Sequence, residues 1–124
     1  MNTVIVQKEI SKKLQKNLLS LSKELGIPSR LLGSKYIHDA ICILLNNGKV
    51  PVTKILYPQI AQINKTTPNK VEKAIRHAIE VSWNRSNPKL KREIFGYIVN
   101  SNKKKPTNSE FLFEVYEYCK LNFE

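Results

Sequence analysis

One stretch, residues 67–84, constrains the fold most, because its apolar residues recur every three or four positions. Thr67 can cap a helix, and Pro68 suits the first helical position, where a missing N–H costs nothing. The spacing predicts a helix with one buried face, made of Val71, Ala74, Ile75, Ala78, Ile79, Val81 and Ser82. The opposite face carries cationic and amide side chains, namely Asn69, Lys70, Lys73, Arg76 and His77. Such a face suits a helix that reads the DNA major groove, although an ordinary solvated basic face has the same pattern.

A second, shorter helix precedes this one, so residues 55–84 are predicted to form a helix-turn-helix whose recognition helix spans 67–84. Ile60 and Ala61 give the apolar and small side chains expected where two such helices cross. The turn requires a residue with positive φ, which costs a lysine roughly 1–2 kcal/mol. We therefore expect Asn64, rather than Lys65, to take the left-handed conformation.

The other helices follow from the same apolar spacing. One is predicted over residues 7–25, another over 34–46, and a single helical turn over Lys89–Glu93. A last helix should begin after Thr107, because Thr107 and Glu110 fit the capping box. The sequence thus predicts an all-α fold of about six helices around a helix-turn-helix, in a single domain over residues 1–124.

The charge of the chain points to a polyanionic partner. The formal net charge is +11, and residues 65–92 hold eight Lys and Arg against two Glu. This clustering favours nucleic acid over a membrane surface, with generic solubility charge as the alternative. No 18-residue apolar run and no secretory signal are present, so a cytoplasmic protein without a membrane partner is expected.

The chain offers no pattern typical of an enzyme. There is no nucleophile–base pair, carboxylate dyad, glycine-rich phosphate loop or set of metal-ligand spacings. His38 and His77 are isolated, and Cys42 and Cys119 fit buried thiols in a reducing compartment. We therefore predict no catalytic residue, no metal and no cofactor. An RNA-binding or protein-interaction module using the same basic face is the rival class.

Several stretches resemble a known family in family order. They are Gly33-x-x-Tyr36-Ile37-x-x-Ala40-Ile41, Leu56-Tyr57-Pro58-x-Ile60-Ala61, Thr66-Thr67, Val71-Glu72-x-Ala74-Ile75-Arg76-His77-Ala78-Ile79-Glu80-Val81-x-Trp83, Phe95-Gly96-Tyr97 and Lys105-Pro106-Thr107-Asn108-Ser109-Glu110-Phe111. On these motifs the chain resembles the DNA-binding effector domain of sporulation stage zero protein A, a response regulator of endospore-forming bacteria. The matching stretches run from about residue 25 to 113.

The resemblance implies binding of double-stranded DNA at short, often tandem, promoter boxes, as a monomer or weak dimer, in sporulation or stationary-phase gene control. The DNA-binding residues it implies, together with those of the exposed face, are Thr66, Thr67, Asn69, Lys70, Glu72, Lys73, Arg76 and His77. The family usually has Arg at the position of Lys73. An Arg guanidinium can donate two hydrogen bonds to one guanine, whereas the Lys ammonium has no such bidentate geometry. The resemblance therefore implies weaker or relaxed readout here.

Two further implications concern protein partners. In the family, the segment after the recognition helix touches the sigma subunit of RNA polymerase, but here residues 84–93 depart from the family pattern. The family also places a phosphoacceptor receiver domain before this one, and the sequence has no acidic cluster or βα alternation to supply it. The chain is expected to be either an excised domain or a stand-alone protein. A stand-alone antagonist, binding polymerase or a full-length relative instead of specific DNA, is the alternative function.

Overall fold

The computed structural model describes residues 11–101 and 105–123, and within those ranges all regular structure is helical. The elements follow in the order α1 (Lys12–Glu24), α2 (Leu32–Asn47), a π-helical turn (Val52–Leu56), α3 (Tyr57–Asn64), α4 (Pro68–Trp83), α5 (Pro88–Val99) and α6 (Asn108–Phe123). The predicted all-α fold with about six helices is therefore confirmed.

Local hydrogen bonds close both ends of α1. Ser11 Oγ accepts a backbone N–H from the first turn at 3.1 Å. At the other end Gly26 has φ 73°, and the Ile27 N–H donates to the Ser22 carbonyl at 3.1 Å, which is the Schellman motif. The predicted start of this helix at Gln7 lies outside the described residues.

Helix α2 begins two residues before the predicted Ser34 and packs against α3, α4 and α6. Its crossing with α4 is unusually close at Gly33. A Cβ built on Gly33 would lie 2.1 Å from the Ala74 carbonyl oxygen and 2.6 Å from the Ala78 Cβ. Because backbone stands against backbone there, only glycine fits at this position without moving the two helices apart.

The chain enters α3 through a wide turn. The N–H groups of Ile55 and Leu56 both donate to the Pro51 carbonyl, at 3.0 and 3.1 Å, and this π-helical turn continues directly into α3. Pro58 lies in the first turn of α3, where its missing N–H breaks no hydrogen bond. The first helix of the predicted pair is thus an eight-residue helix with a π-helical lead-in.

The segment after α4 is more helical than predicted. Instead of a single turn over Lys89–Glu93, it forms the twelve-residue helix α5, with the Asn87 side chain accepting two backbone N–H groups at its start. Phe95 (φ −117°, ψ 27°) kinks α5. Its ring contacts Trp83 at 5.3 Å and Phe111 at 5.2 Å between centroids. The buried residues Leu90, Ile94, Phe95 and Ile98 keep helical spacing across the kink, so the prediction of a single turn was wrong.

Helix α6 begins with the predicted capping box. Thr107 Oγ1 accepts the Glu110 N–H at 3.2 Å, and Glu110 Oε1 accepts the Thr107 N–H at 2.9 Å. Buried side chains from all six helices form one hydrophobic cluster, whose largest fully buried members are Phe95, Phe111, Leu44, Leu56, Ile60, Ile75, Ile79 and Ile98. Among the described helices, none has the length and hydropathy needed to cross a membrane.

Candidate nucleic-acid interface

Helix α4 presents a continuous polar face to solvent. Thr67 has extended backbone angles, and its Oγ1 accepts the Lys70 N–H at 3.3 Å, so the helix begins at Pro68 as predicted. At 100° per residue, the side chains predicted to face DNA fall within about 120° of the helix circumference. They are Asn69, Lys70, Lys73, Arg76 and His77, and all are exposed.

The other three predicted site residues border this face. Thr67 is exposed at the start of α4, whereas Thr66 is half-buried in the turn before it. Glu72 lies at the edge of the exposed face, with 34% of its side chain accessible. The structure therefore brings all eight predicted residues together on the first turn and outer surface of α4; we call this set the α4 face.

The buried side of α4 fixes the direction of that face. Val71, Ile75 and Ala78 are fully buried, and α2 crosses the same side at Gly33. Ser82, which continues the apolar stripe, is also buried, and its hydroxyl donates to the Ile79 carbonyl at 3.1 Å. A helix held along its whole inner side cannot rotate, so the outer side chains keep a defined orientation.

Two ion pairs organise the charges on the α4 face and beside it. Arg76 Nε lies 3.6 Å from Glu72 Oε2, one helical turn away. Lys105 Nζ donates to Glu80 Oε2, and this hydrogen bond holds the pKa of the Glu80 carboxyl below its usual range. Both pairs are largely exposed, so their contribution to stability is small. Their main effect is to restrict the side-chain positions of Arg76 and Lys105.

The turn between α3 and α4 contradicts the expectation for Asn64. Lys65, with φ 55° and ψ 48°, is the left-handed residue. Asn64 stays helical because its amide nitrogen donates to the Ile60 carbonyl at 2.9 Å and to Asp39 Oδ2 at 2.8 Å. Since those bonds fix Asn64 against α2, the left-handed conformation falls on the next residue.

Asn108 joins the start of α6 to the α4 face, a link that sequence reasoning missed. Its amide nitrogen donates to Tyr57 Oη at 3.0 Å and to the Glu72 carbonyl at 3.1 Å. Burial raises the pKa of the Tyr57 hydroxyl, although the hydrogen bond from Asn108 acts in the opposite direction. The adjoining surface is a shallow concavity that Arg76 and Lys105 also line. The only sequence signal for this link was the matching family stretch around residues 105–111.

A lysine from α5 closes the other end of α4. Lys91 Nζ donates to the Trp83 carbonyl at 2.6 Å and lies 4.2 Å from the centroid of the Trp83 indole. Burial lowers the pKa of the Lys91 ammonium. A cation at a helix C-terminus stabilises the helix dipole. Lys91 is therefore part of the support of α4, a role that the sequence pattern alone does not indicate.

The remaining reactive side chains do not converge. Within residues 11–101 and 105–123, no group of three His, Cys, Asp or Glu side chains could hold a metal ion. Cys119 is buried as predicted, whereas Cys42 is half-buried, and burial raises the pKa of its thiol to about 12. His38 is half-buried too, and burial lowers its pKa.

Comparison with known families identifies a family model that covers most of the chain. The family model described as "Sporulation initiation factor Spo0A C terminal" matches residues 18–119. The matched residues include α2 to α5 completely, and α1 and α6 except for the start of α1 and the end of α6. That family is the DNA-binding effector domain of a sporulation regulator. The α4 face lies wholly within the matched residues.

Proposed function

The chain belongs to the family of Spo0A C-terminal domains, and on that premise we propose that it is a sequence-specific regulator that binds double-stranded DNA. Helix α4 enters the major groove, and the α4 face contacts bases and phosphates. One observation supports this most strongly: a capped, anchored helix directs Asn69, Lys70, Lys73, Arg76 and His77 to one exposed side. The DNA sites are short promoter boxes, bound by a monomer or by weak dimers on tandem boxes.

The α4 face divides into two roles. Lys70 and Thr67 stand at the first turn, where the helix N-terminus favours phosphate, and they set the register on the backbone. Lys73, Arg76 and His77 lie further along the helix and reach base edges. Glu72 lies 3.6 Å from Arg76 and orients its guanidinium before DNA arrives. Lys73 supplies a single-point donor, so it discriminates less than an arginine would.

Helix α5 is the proposed contact for the sigma subunit of RNA polymerase. Its exposed residues include Lys89, Arg92 and Glu93, whereas Lys91 is engaged with Trp83 and is unavailable to a partner. This contact is separable from DNA binding. Reversing the charge of Arg92 should reduce activated transcription in a reconstituted system while leaving DNA affinity unchanged. Loss of both activities would contradict the separation.

The decisive experiment is a titration of the chain against a duplex carrying the family's promoter box and against a scrambled duplex, at two salt concentrations. A preference of about a hundredfold or more for the box would support sequence-specific regulation. Equal, steeply salt-dependent binding would refute specific readout and leave only charge attraction. Absence of binding to both duplexes would overturn the proposal and favour the protein-interaction alternative, in which the fold binds polymerase or a full-length relative.

Single variants test the two roles. Arg76→Ala should weaken binding to the box by about 1–3 kcal/mol and relax preference at one base pair. Lys70→Ala should weaken all duplexes alike and reduce the salt slope by about 1. Lys13→Ala, which removes an exposed lysine in the first turn of α1, controls for the loss of one positive charge. Equal losses on specific and scrambled DNA for both Arg76→Ala and Lys70→Ala would refute the division of roles.

A further inference from the structure

Lys65 occupies a backbone conformation that this chain otherwise gives to glycine. Among the described residues, three have positive φ: Gly26 at 73°, Gly48 at 77° and Lys65 at 55°. Gly26 and Lys65 stand in the same motif, because each precedes a residue whose N–H donates to the carbonyl five positions earlier, Ile27 to Ser22 and Thr66 to Ala61. Left-handed backbone is unfavourable for a residue with a Cβ, and glycine is the common solution there. The lysine is therefore a departure that the fold itself does not favour.

The surrounding hydrogen bonds impose this conformation. The Thr66 N–H donates to the Ala61 carbonyl at 2.9 Å, across the turn. On the other side Asn64 is held by the Ile60 carbonyl and by Asp39 of α2. A strained residue persists only where its neighbours determine it, and such residues concentrate at functional sites. Here the strain lies at the start of the α4 face.

The amine of Lys65 has no polar partner within the described part of the protein. It is exposed, and none of the described residues forms a hydrogen bond or ion pair with its amine. Exposed lysines such as Lys54 and Lys89 also have no such partner among the described residues, so the left-handed backbone is what distinguishes Lys65. A lysine that costs strain and binds nothing in its own chain is explained by an anion outside the chain.

We infer that Lys65 binds a DNA phosphate and belongs to the interface alongside the α4 face, an inference that rests on the proposed function. In helix-turn-helix proteins the first helix crosses the DNA backbone while the second enters the groove. The turn between α3 and α4 therefore faces the backbone, and its single cation is Lys65. The left-handed backbone aims the side chain outward, while Asn64 and Asp39 fix the turn behind it.

Three substitutions separate charge from strain. Lys65→Gly removes both, Lys65→Gln removes only the charge, and Lys65→Arg keeps both; Lys13→Gln is the matched control for one lost charge on α1. For each variant the urea midpoint and the affinity for the promoter-box duplex are measured across a salt series. One phosphate contact contributes about 0.9 to the salt slope, which corresponds to about fivefold in affinity at roughly 0.15 M salt.

The three Lys65 variants should differ in their stability and in their affinity for DNA. Lys65→Gly should unfold at higher urea than the parent yet bind about fivefold more weakly, with a salt slope lower by about 0.9. Lys65→Gln should lose the same affinity without the gain in stability, and Lys65→Arg should bind like the parent. If the parent binds and both uncharged variants match Lys13→Gln, the inference is overturned and the proposed function stands. A parent that binds no duplex overturns both.

Discussion

Substituting Gly33 by alanine tests the close packing that orients α4. The added Cβ would stand 2.1 Å from the Ala74 carbonyl oxygen, whereas carbon–oxygen contacts in packed proteins are about 3.3 Å. The helices must therefore separate by roughly 1.2 Å at this point, by subtraction of those distances. The obstructing atom belongs to backbone, so no rotamer change relieves the contact.

The free energy follows from two opposing effects. Overpacking costs typically about 1–3 kcal/mol, and an obstruction by backbone belongs at the upper end. Alanine is a better helix former than glycine and returns roughly 0.5–1 kcal/mol. Gly33→Ala should therefore lower the free energy of unfolding by about 2–2.5 kcal/mol. Displacement of α4 should also weaken binding to the promoter box.

Urea denaturation followed by fluorescence measures this change directly, because Trp83 is the only tryptophan and is buried at the end of α4. Gly96→Ala is the matched control, since nothing lies within 4 Å of the position where its Cβ would stand. That control should be neutral or raise stability by up to about 1 kcal/mol. A Gly33→Ala protein as stable as its parent would refute the close crossing of α2 and α4.

Three further measurements check other contacts. Asn108→Ala should cost about 1–2 kcal/mol of stability, because Tyr57 and the backbone of α4 lose a partly buried partner. Asn122→Ala, which loses one exposed bond, should cost less than about 0.5 kcal/mol, and equal costs would contradict the link made by Asn108. Thr107→Ala should cost about 1 kcal/mol by urea titration, and a null effect would count against the capping box. Cys42, with a pKa of about 12, should react with a thiol reagent at pH 8 far more slowly in the folded than in the unfolded chain; comparable rates would show that its thiol is not protected.

The sequence was most informative where local chemistry decides the structure. Helix α4 was predicted to within a residue at each end because Thr67 is a strong cap and its apolar residues keep one period. The capping box at Thr107 and Glu110 was predicted for the same reason. In both cases the hydrogen-bond partners lie within four residues, so the pattern contains the whole interaction.

Long-range contacts account for the errors. Asn64 has the better intrinsic preference for left-handed backbone, but its bond to Asp39, 25 positions away, overrides that preference. No local pattern indicates that Gly33 meets the backbone of α4, or that the Lys91 amine binds the Trp83 carbonyl. Charge counts cannot distinguish a free lysine from one that supports a helix end. The roles of the eight residues of the α4 face remain predictions for the titrations above.

The anchoring of α4 has a consequence for the mechanics of recognition. The helix is held by Asn108 near its first turns, by α2 at Gly33 and by Lys91 at its last carbonyl. A recognition helix fixed at three points loses little conformational entropy when it binds DNA. It also cannot move to fit a major groove whose shape differs from the preferred one. The duplex must then deform to fit the protein. The free energy of that deformation depends on the flexibility of base steps, including steps that no side chain touches. Flanking sequence and DNA flexibility should therefore affect affinity as well as the contacted bases.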